Sequence, residues 1–416
     1  MKTIWILDHH ASEPKYGGIT RHYDFAKELA KRGKRVVVIA SSYSHFSKKN
    51  IFDEDYKIVE ISENAHFVYL RTTPEYTENS PKRFLNMASF VRMVRKYRDN
   101  IAKALGEPDS VMGCSVHPLT WIAAYNCAKK YKVKFFIEVR DFWPDFFIQA
   151  GTFSRYHPIV IFFSMLEKWA YKNADKIIVS LPFAERYICD KLGFSKEKVV
   201  WIGQPMDCKR FDEYSVSKVK LIPEEITNFI NDSFVCTFTG YYKSYEGVLT
   251  MLKAAKILQD KSIPVKFVFV GNGSEKEEMS DYVRDNQLFN VYVGSRINKE
   301  AIPTLLRKSQ IKLGALSLNN KDAFAYGISK NKINEYLYSG GCTIFGFSHL
   351  NNAVDLSKGG YVIEPNDADL LANTIINVYQ KSKEELIEID QNARNYIEKV
   401  HGVNILSEKL EKVLLQ

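Results

Sequence analysis

The chain has 416 residues, of which 45% are hydrophobic, 26% charged and 13% aromatic. This composition excludes a disordered, collagen-like or low-complexity protein, and at roughly 100–200 residues per domain the length points to two or three domains, two being the simplest count. The net charge of +9 is a mild excess that permits an anionic partner without requiring one.

That excess is unevenly placed. Residues 1–205 carry 32 Lys and Arg against 22 Asp and Glu, a balance of +10, and the remainder carries −1. Either the N-terminal half has basic, solvated helix faces, or it faces something anionic: a membrane surface, a phospholipid-linked substrate or nucleic acid. No recognisable nucleic-acid module accompanies the charge, so no nucleic-acid partner is expected.

In chain order, short apolar strands alternate with longer amphipathic segments. Strands are predicted at Thr3–Leu7, Arg35–Ala40, Ser110–Cys114, Val133–Val139, Lys176–Ser180 and Lys198–Ile202. Helices are predicted near 19–32, 119–131, 155–173 and 183–192. Near-continuous Val/Ile/Phe strands between amphipathic helices indicate a parallel sheet covered on both faces. A linker falls near 203–210, where Gly203-Gln204-Pro205-Met206-Asp207 is rich in turn residues, and a polar stretch to about 233 is ambiguous. Alternation then resumes. Strands are expected at Phe234–Thr239, Val265–Val270, Val291–Val293, Ile311–Ala315, Thr343–Phe345 and Tyr361–Ile363. Helices are expected near 247–260, 274–287, 299–308, 330–339 and 367–381, and two more close the chain near 383–400 and 404–415. The fold class is therefore α/β: two doubly wound parallel-sheet domains, 1–205 and 206–399, with a closing helix near 400–416 returning to the first. Two such domains bind a ligand in the cleft between them.

The six cysteines show no C-x-x-C spacing and mostly sit in apolar runs, as reduced residues of a cytoplasmic protein do. The first strand is too short an apolar run for a signal peptide, and the longest apolar stretch, Pro158 to Leu166, is about half a membrane span. Peripheral attachment stays open. From Ser80 to Leu105, Phe84, Met87, Val91, Val94, Ile101 and Leu105 recur at helical spacing, and seven basic residues, Arg92 and Arg95 among them, stand against Asp99 alone. Such a helix either packs its apolar face into a core or lies on anionic lipid. Trp143, Phe146, Phe147, Phe162, Phe163 and Trp169 form either core or an apolar surface on the acceptor side.

Four stretches carry candidate chemistry. Gly17-Gly18 lies in the loop between the first strand and its helix; it is a plain tight turn or a site of close ligand approach near a helix start. Glu138-Val139-Arg140-Asp141 ends a strong strand, where ligands of doubly wound sheets bind, so Arg140 and Asp141 are an ion pair or ligand contacts. His117 ends another strand and is a structural histidine or a contact. The most informative stretch is Tyr326-Gly327-Ile328-Ser329-Lys330-Asn331-Lys332-Ile333-Asn334-Glu335. Lys330 and Lys332 crowd a helix start whose dipole disfavours cations, a conflict that an anion pairing with both would resolve. Glu335, one turn in, can accept hydrogen bonds from a hydroxyl pair. Asp53-Glu54-Asp55 and Asp367-Ala368-Asp369 match a D-x-D metal motif formally, and are read as a solvated turn and an acidic first helical turn; no metal ligand set is assigned.

Taken together, the Gly17-Gly18 loop with KELAKRGKRV, the EVRDFWP segment, ADKIIV (Ala174–Val179), FVFVGNGSEKEEM (Phe267–Met279) and SKNKINEYLYSGG resemble the GT-B glycosyltransferases, specifically retaining family-4 enzymes, over nearly the whole chain. The resemblance implies a nucleotide-sugar donor, UDP-sugar preferred, in the C-terminal domain and a glycan or lipid-linked acceptor in the N-terminal one. It implies that Glu335 holds the ribose hydroxyls and that Gly327, Ile328 and Ser329 border the sugar and phosphates. Gly294 and Arg296 would flank the base, and Gly17 and Gly18 would make room for the diphosphate. Arg140 stands where many relatives place a histidine near the donor sugar; His117, Asp141, Arg92 and Arg95 fall on the acceptor side. Two positions depart from the family pattern. The first carboxylate of its E-x7-E motif falls on Gly327. In the turn Gly240 to Gly247, Tyr241 stands at the place of an Arg and Glu246 near that of a Lys, which leaves Lys243, with Lys330 and Lys332, to bind the diphosphate. Arg140, Lys243 and Lys332 are then the catalytic cations, with no cofactor and no metal required. The expected function is transfer of a sugar, with retention, in surface polysaccharide synthesis at the inner face of the membrane. The alternatives are a nucleotide-sugar epimerase of the same fold and a non-catalytic nucleotide-sugar-binding protein.

Overall fold

A computed structural model describes residues 1–416 apart from 45–46, 78–80, 116, 150, 318–323, 350–351 and the side chain of Phe146. The chain divides into two compact units, residues 1–205 with 403–416, and residues 206–402.

The first unit is built on an eight-stranded sheet. In chain order its elements are β1 (Thr3–Leu7), α1 (Arg21–Lys31), β2 (Arg35–Ser41), a short ribbon of β3 (Tyr43–Ser44) and β4 (Lys49–Asn50), and β5 (Tyr56–Ser62) and β6 (Ala65–Leu70). Then come α2 (Pro81–Leu105), β7 (Ser110–Cys114), α3 (Leu119–Tyr131), β8 (Lys134–Val139), α4 (Asp145–Gln149), α5 (Pro158–Asn173), β9 (Lys176–Val179) and β10 (Val199–Trp201). The strand order is β10-β9-β8-β7-β1-β2-β6-β5, parallel except for β5, which pairs antiparallel with β6. The two-residue alternation of a strand places its side chains on two faces: Ile4 and Ile6 pack with Phe25, Ala26 and Leu29 of α1, while Trp5, one residue out of phase, meets Tyr131 edge-on at 5.5 Å between ring centroids.

The β5–β6 hairpin was not expected. Its outer strand, YKIVEIS, is half-buried except at exposed Glu60 and sits at the sheet edge, so no unbroken apolar run announces it. Asn64, at φ 64°, makes the turn. The segment expected to be helical at 183–192 is helical, wound as a π-helix over Arg186–Lys191, and α5 begins at Pro158, capped by His157. In α2 the apolar face is core: Met87, Phe90, Met93, Val94, Ile101 and Leu105 are buried, while Arg92 and Arg95 point to solvent.

The second unit opens with two helices in the ambiguous stretch, α6 (Cys208–Ser217) and α7 (Glu224–Ile230). There follow β11 (Phe234–Tyr241), α8 (Val248–Asp260), β12 (Val265–Asn272), α9 (Lys276–Asp285), β13 (Val291–Gly294), α10 (Ile302–Arg307), β14 (Ile311–Ala315), α11 (Asn331–Tyr338), β15 (Cys342–Gly346), α12 (Ala353–Ser357), β16 (Gly360–Ile363), α13 (Ala368–Tyr379) and α14 (Lys383–Tyr396). All six strands are parallel, in the order β13-β12-β11-β14-β15-β16. The reversal of strand order between β11 and β14 is the switch point at which open α/β sheets bind ligands.

Of the two closing helices, only α15 (Val403–Leu415) belongs to the first unit. There Leu406, Leu410 and Leu414 join the core, and Glu411 binds Arg32 at 2.5 Å and Lys34 at 3.0 Å. Helix α14 stays with the second unit, where Ala393 and Ile397 pack with Leu337 of α11. None of the six cysteines is in a disulfide. Among the described residues no helix is long and apolar enough to cross a membrane.

Candidate active site

In the first unit the candidate residues collect at the C-terminal ends of β1, β7 and β8. The loop from Asp8 to Thr20 turns at Gly17 and Gly18, whose φ values of 72° and 93° favour glycine at both places. The turn delivers Arg21 and His22 at the start of α1 into the interior, both with no exposed side-chain surface. Arg21 donates from Nε to Glu138 Oε1 at 2.8 Å, and from its two terminal nitrogens to the carbonyls of Gly203 and Ile202 at 2.5 and 2.8 Å. His22 bridges two carboxylates: Nδ1 lies 2.7 Å from Asp8 Oδ2, and Nε2 lies 3.0 Å from Glu138 Oε2.

This geometry sets protonation. Nδ1 is hydrogen-bonded to Asp8, whereas the approach of Nε2 to Glu138 Oε2 is an ion-pair contact without a hydrogen bond. Burial alone would raise both carboxyl groups. For Asp8, the hydrogen bond and charge of His22 and the charge of Arg140 overcome it; for Glu138, the charges of Arg21 and His22 do so. Both groups are held below the usual carboxylate range. Burial opposes charge on His22, but Cys114, Glu138 and Asp8 together outweigh it and raise it well above the ordinary histidine value. The network therefore favours the charged imidazole beside two carboxylates, with Arg21 also bound to Glu138.

Cys114 Sγ also lies 3.4 Å from His22 Nε2, and His22, Cys114 and Glu138 present three atoms within 4.8 Å of one another, close enough to ligate one metal ion. The fit is poor. Metal binding needs a thiolate and an unprotonated Nε2, whereas burial pushes the Cys114 thiol up to about 12, and the Arg21 guanidinium already occupies Glu138. No step through a metal is derived.

Arg140 stands at the rim of this network. Its backbone N–H donates to Ser115 Oγ at 2.9 Å, and Nη1 makes only a long ion pair of 4.0 Å with Asp8 Oδ2 and no hydrogen bond. Asp141, the next residue, is exposed, and the ion pair of Arg140 is with Asp8 instead. His117 is fully buried, edge-on to His9 with ring centroids 4.6 Å apart, and His9 Nε2 lies 3.0 Å from Asn86 Oδ1. Burial, aided for His117 by the charges of His10 and Arg83, pushes both imidazoles well below the ordinary value, so both are uncharged at neutral pH. His117 is thus a packed residue behind the strand ends. Arg92 and Arg95 lie on the exposed face of α2.

In the second unit the sequence-predicted residues collect around the N-terminus of α11. Glu246, buried in the turn after β11, binds both lysines: Oε1 lies 2.8 Å from Lys330 Nζ and Oε2 lies 2.8 Å from Lys332 Nζ. The anion that relieves the conflict between the lysines and the helix dipole is therefore already part of the chain. Burial would raise Glu246, but Lys332 and Lys330 bring it below its usual range. Lys330 is pushed down to about 8 by burial, with the Lys332 charge adding to the fall and Glu246 opposing it. Gly240, at φ 143°, leaves room for this arrangement: a Cβ there would stand 2.7 Å from Lys332 Nζ. The cluster keeps an excess of one positive charge, and 27% of the Lys330 side chain is exposed.

The other predicted residues surround that cluster. Glu335 is half-buried one turn into α11, and Tyr336 beside it accepts the Thr239 N–H at 2.8 Å, tying α11 to β11. Gly327 has φ 88° and its N–H donates to the Phe324 carbonyl at 2.9 Å, so the missing family carboxylate falls where the backbone favours glycine. Ile328 and Ser329 are half-buried between Gly327 and α11. Lys243 reaches Ser274 Oγ at 3.3 Å, Gly294 accepts the Tyr242 hydroxyl at 2.6 Å, and Arg296 is exposed. The turn of Gly271 and Gly273 is filled by packing, because a Cβ on either would strike the backbone of Gly240 or Tyr242 at 1.8 or 2.1 Å.

The sequence reading passed over Asp8, His9, His22 and Glu138, and treated Glu246 only as a departure. One signal was present: Glu138 interrupts the apolar, buried run from Phe135 to Val139, and a charge there demands a partner.

Comparison with known proteins places this geometry in a family. The model for Glycosyltransferase Family 4 matches residues 16–210, and the model for Glycosyl transferases group 1 matches residues 223–396. No curated protein is matched. Among solved structures, sucrose-phosphate synthase from Thermosynechococcus elongatus superposes with a TM-score of 0.73 at 15% identity, over 99% of this chain and 98% of that one. Anabaena HepE in complex with UDP gives 0.68 at 14%, over 100% and 99%. The α,α-trehalose-phosphate synthase (UDP-forming) from Burkholderia vietnamiensis gives 0.70 at 11%, over 100% and 99%. At these identities the structures speak for the fold. With two family models spanning most of the chain and two parallel Rossmann-like sheets bearing the matched segments, the protein belongs to the GT-B glycosyltransferases of the family-4 type.

Proposed function

We propose that this glycosyltransferase transfers a sugar, with retention of configuration, from a UDP-sugar held by the second unit to a glycan or lipid-linked acceptor held by the first, in the synthesis of a surface polysaccharide on the cytoplasmic side. The observation that carries the donor assignment is the pair Lys330 and Lys332 at the N-terminus of α11, with Glu335 one turn further on. A diphosphate needs fixed cations and free N–H donors, and a ribose needs a carboxylate within reach of two hydroxyls. Structures of HepE with UDP and with UDP-glucose support a nucleotide-sugar donor.

In this reading the diphosphate joins Glu246 in sharing the two lysines, and Lys243 adds a third cation. As the bond to the anomeric carbon breaks, these charges stabilise the departing diphosphate, and no metal or cofactor is called for. Arg140, whose Nη1 has no hydrogen bond, supplies a cation to the reacting sugar. Gly17 and Gly18 give the ligand close access to backbone, and Gly294 and Arg296 flank the base. On the acceptor side, Arg92 and Arg95 give the first unit a peripheral contact with an anionic membrane surface.

Isothermal calorimetry with UDP, GDP and their glucose conjugates tests the donor assignment. Glu335→Ala is expected to weaken UDP binding at least about tenfold, the loss of charge-assisted bonds to ribose. Unchanged affinity would refute the ribose role, and stronger binding of GDP would refute the choice of base.

A further inference from the structure

Helix α5 is apolar on two sides. Val160, Phe163, Leu166 and Ala170 are buried, whereas Ile161, Phe162 and Met165 are 48, 53 and 68% exposed. These three lie on one stripe, at positions i, i+1 and i+4. The first turn of α2 continues it: Phe84 stacks on Phe163 with ring centroids 6.0 Å apart, and its neighbour Leu85 is 59% exposed. A helix whose inner face is already packed gains nothing in water from a second apolar face. Large apolar side chains exposed singly are ordinary, but a run across two adjoining helices marks a contact surface.

The exposed charges carried by these two segments have one sign. Lys82, Arg92 and Arg95 of α2, and Arg155, Lys168 and Lys172 around α5, are exposed. No acidic residue occurs from Pro81 to Arg98. From Gln149 to Ala174 the sole acid is Glu167, which is buried, accepts the hydroxyls of Tyr171 and Tyr187 at 2.9 and 3.0 Å, and is pushed up to about 8 by burial.

We propose that this ridge is the face on which the first unit rests on a bilayer containing anionic lipid, with Ile161, Phe162, Met165 and Leu85 among the acyl chains and the surrounding lysines and arginines at headgroup level. The proposal deepens the peripheral contact suggested above and rests on it. Apolar residues ringed by cations match the two layers such a surface offers, acyl chain and phosphate. A second copy of the chain fits less well, because a two-fold contact would set the basic rim against its own image. No described helix is long and apolar enough to span, so the mode is lying on the surface.

Sedimentation of the full chain with vesicles tests this, using phosphatidylcholine alone and phosphatidylcholine with an equal part of phosphatidylglycerol. Binding is expected only to the mixed vesicles. Phe162→Ser with Met165→Ser should weaken it at least about tenfold, as removal of two inserted large apolar groups implies. Arg155→Glu with Lys168→Glu should weaken it and flatten its salt dependence. Both side-chain pairs are at the surface, and UDP affinity without vesicles should be unchanged, so failure of the membrane contact is read separately from failure of the donor assignment. The proposal is overturned if the parent ignores the mixed vesicles, if the serine variant binds them equally well, or if light scattering shows a dimer that the serine variant abolishes.

Discussion

The two units handle buried charge differently. In the first, Asp8, His22, Glu138 and Arg21 have no exposed side-chain surface, and every charge meets an opposite one or a carbonyl. In the second, one carboxylate, Glu246, serves two lysines that keep part of their surface in water. A closed, matched network has no capacity left for a ligand; it holds the Gly17-Gly18 loop, the start of α1 and, through Asp8, Arg140 in fixed relation. An under-neutralised cluster at a helix N-terminus has capacity for one more anion. In the proposed reading, the contrast separates charges that position from charges that bind.

The largest expected effect tests the positioning half. Glu138→Ala leaves Arg21 and His22 without their carboxylate and should destabilise the first unit by about 3–5 kcal/mol, read as a lowered thermal transition. Glu246→Gln, at a wetter site, should cost clearly less; equal losses would erase the contrast. Next, Lys332→Ala should weaken UDP binding by about 1.5–3 kcal/mol, the range for bonds to charged groups, with little change in melting temperature. A change confined to melting would make Lys332 structural. Third, Gly327→Glu restores the missing family carboxylate at a position with φ 88°. It should cost about 1–2 kcal/mol of stability and leave UDP affinity no higher, by calorimetry; a gain in affinity would show that the backbone tolerates the carboxylate there.

The smallest effects concern pH. His22 titrates above its unfolded value, so its contribution is fully present below about pH 6.5 and is lost as pH rises through the folded value. Asp8 and Glu138 titrate below theirs, so their contributions are present above about pH 4 and fade in acid. Protection from hydrogen exchange at β1, β7 and β8, taken relative to the intrinsic rate at each pH, should therefore fall at both extremes, and His22→Gln should remove the alkaline limb. In the second unit, UDP affinity should fall as pH rises through about 8, where Lys330 loses its proton, and Lys330→Arg should flatten that fall. A pH-independent affinity would place Lys330 outside the diphosphate site.

The α/β class and most strands were legible because strands buried on both faces are largely apolar: β2 and β11 read plainly as Arg35–Ala40 and Phe234–Thr239, one and two residues short of their observed ends. The edge strand Tyr56–Ser62 and the helices α6 and α7 were not, since half-buried elements mix polar and apolar residues. Lys330, Lys332 and Glu335 could be picked out because they share one short segment. Their tie to Glu246, 84 and 86 residues away in sequence for the two lysines, could not.

The sequence by itself determined the local quantities: periodicity, the alternation of strands and helices, the cations gathered at the start of α11, and the charge surplus of the first 205 residues. Only the tertiary structure decided which charges cancel. It set His22 between Asp8 and Glu138, gave Arg140 to Asp8 and left Asp141 exposed, assigned Glu246 to both lysines, and turned one face of α5 outward while burying the other. The physical reason is range. Backbone preference and amphipathic period act over a few residues, whereas pairing and burial of charge depend on atoms that meet only when distant strands lie side by side.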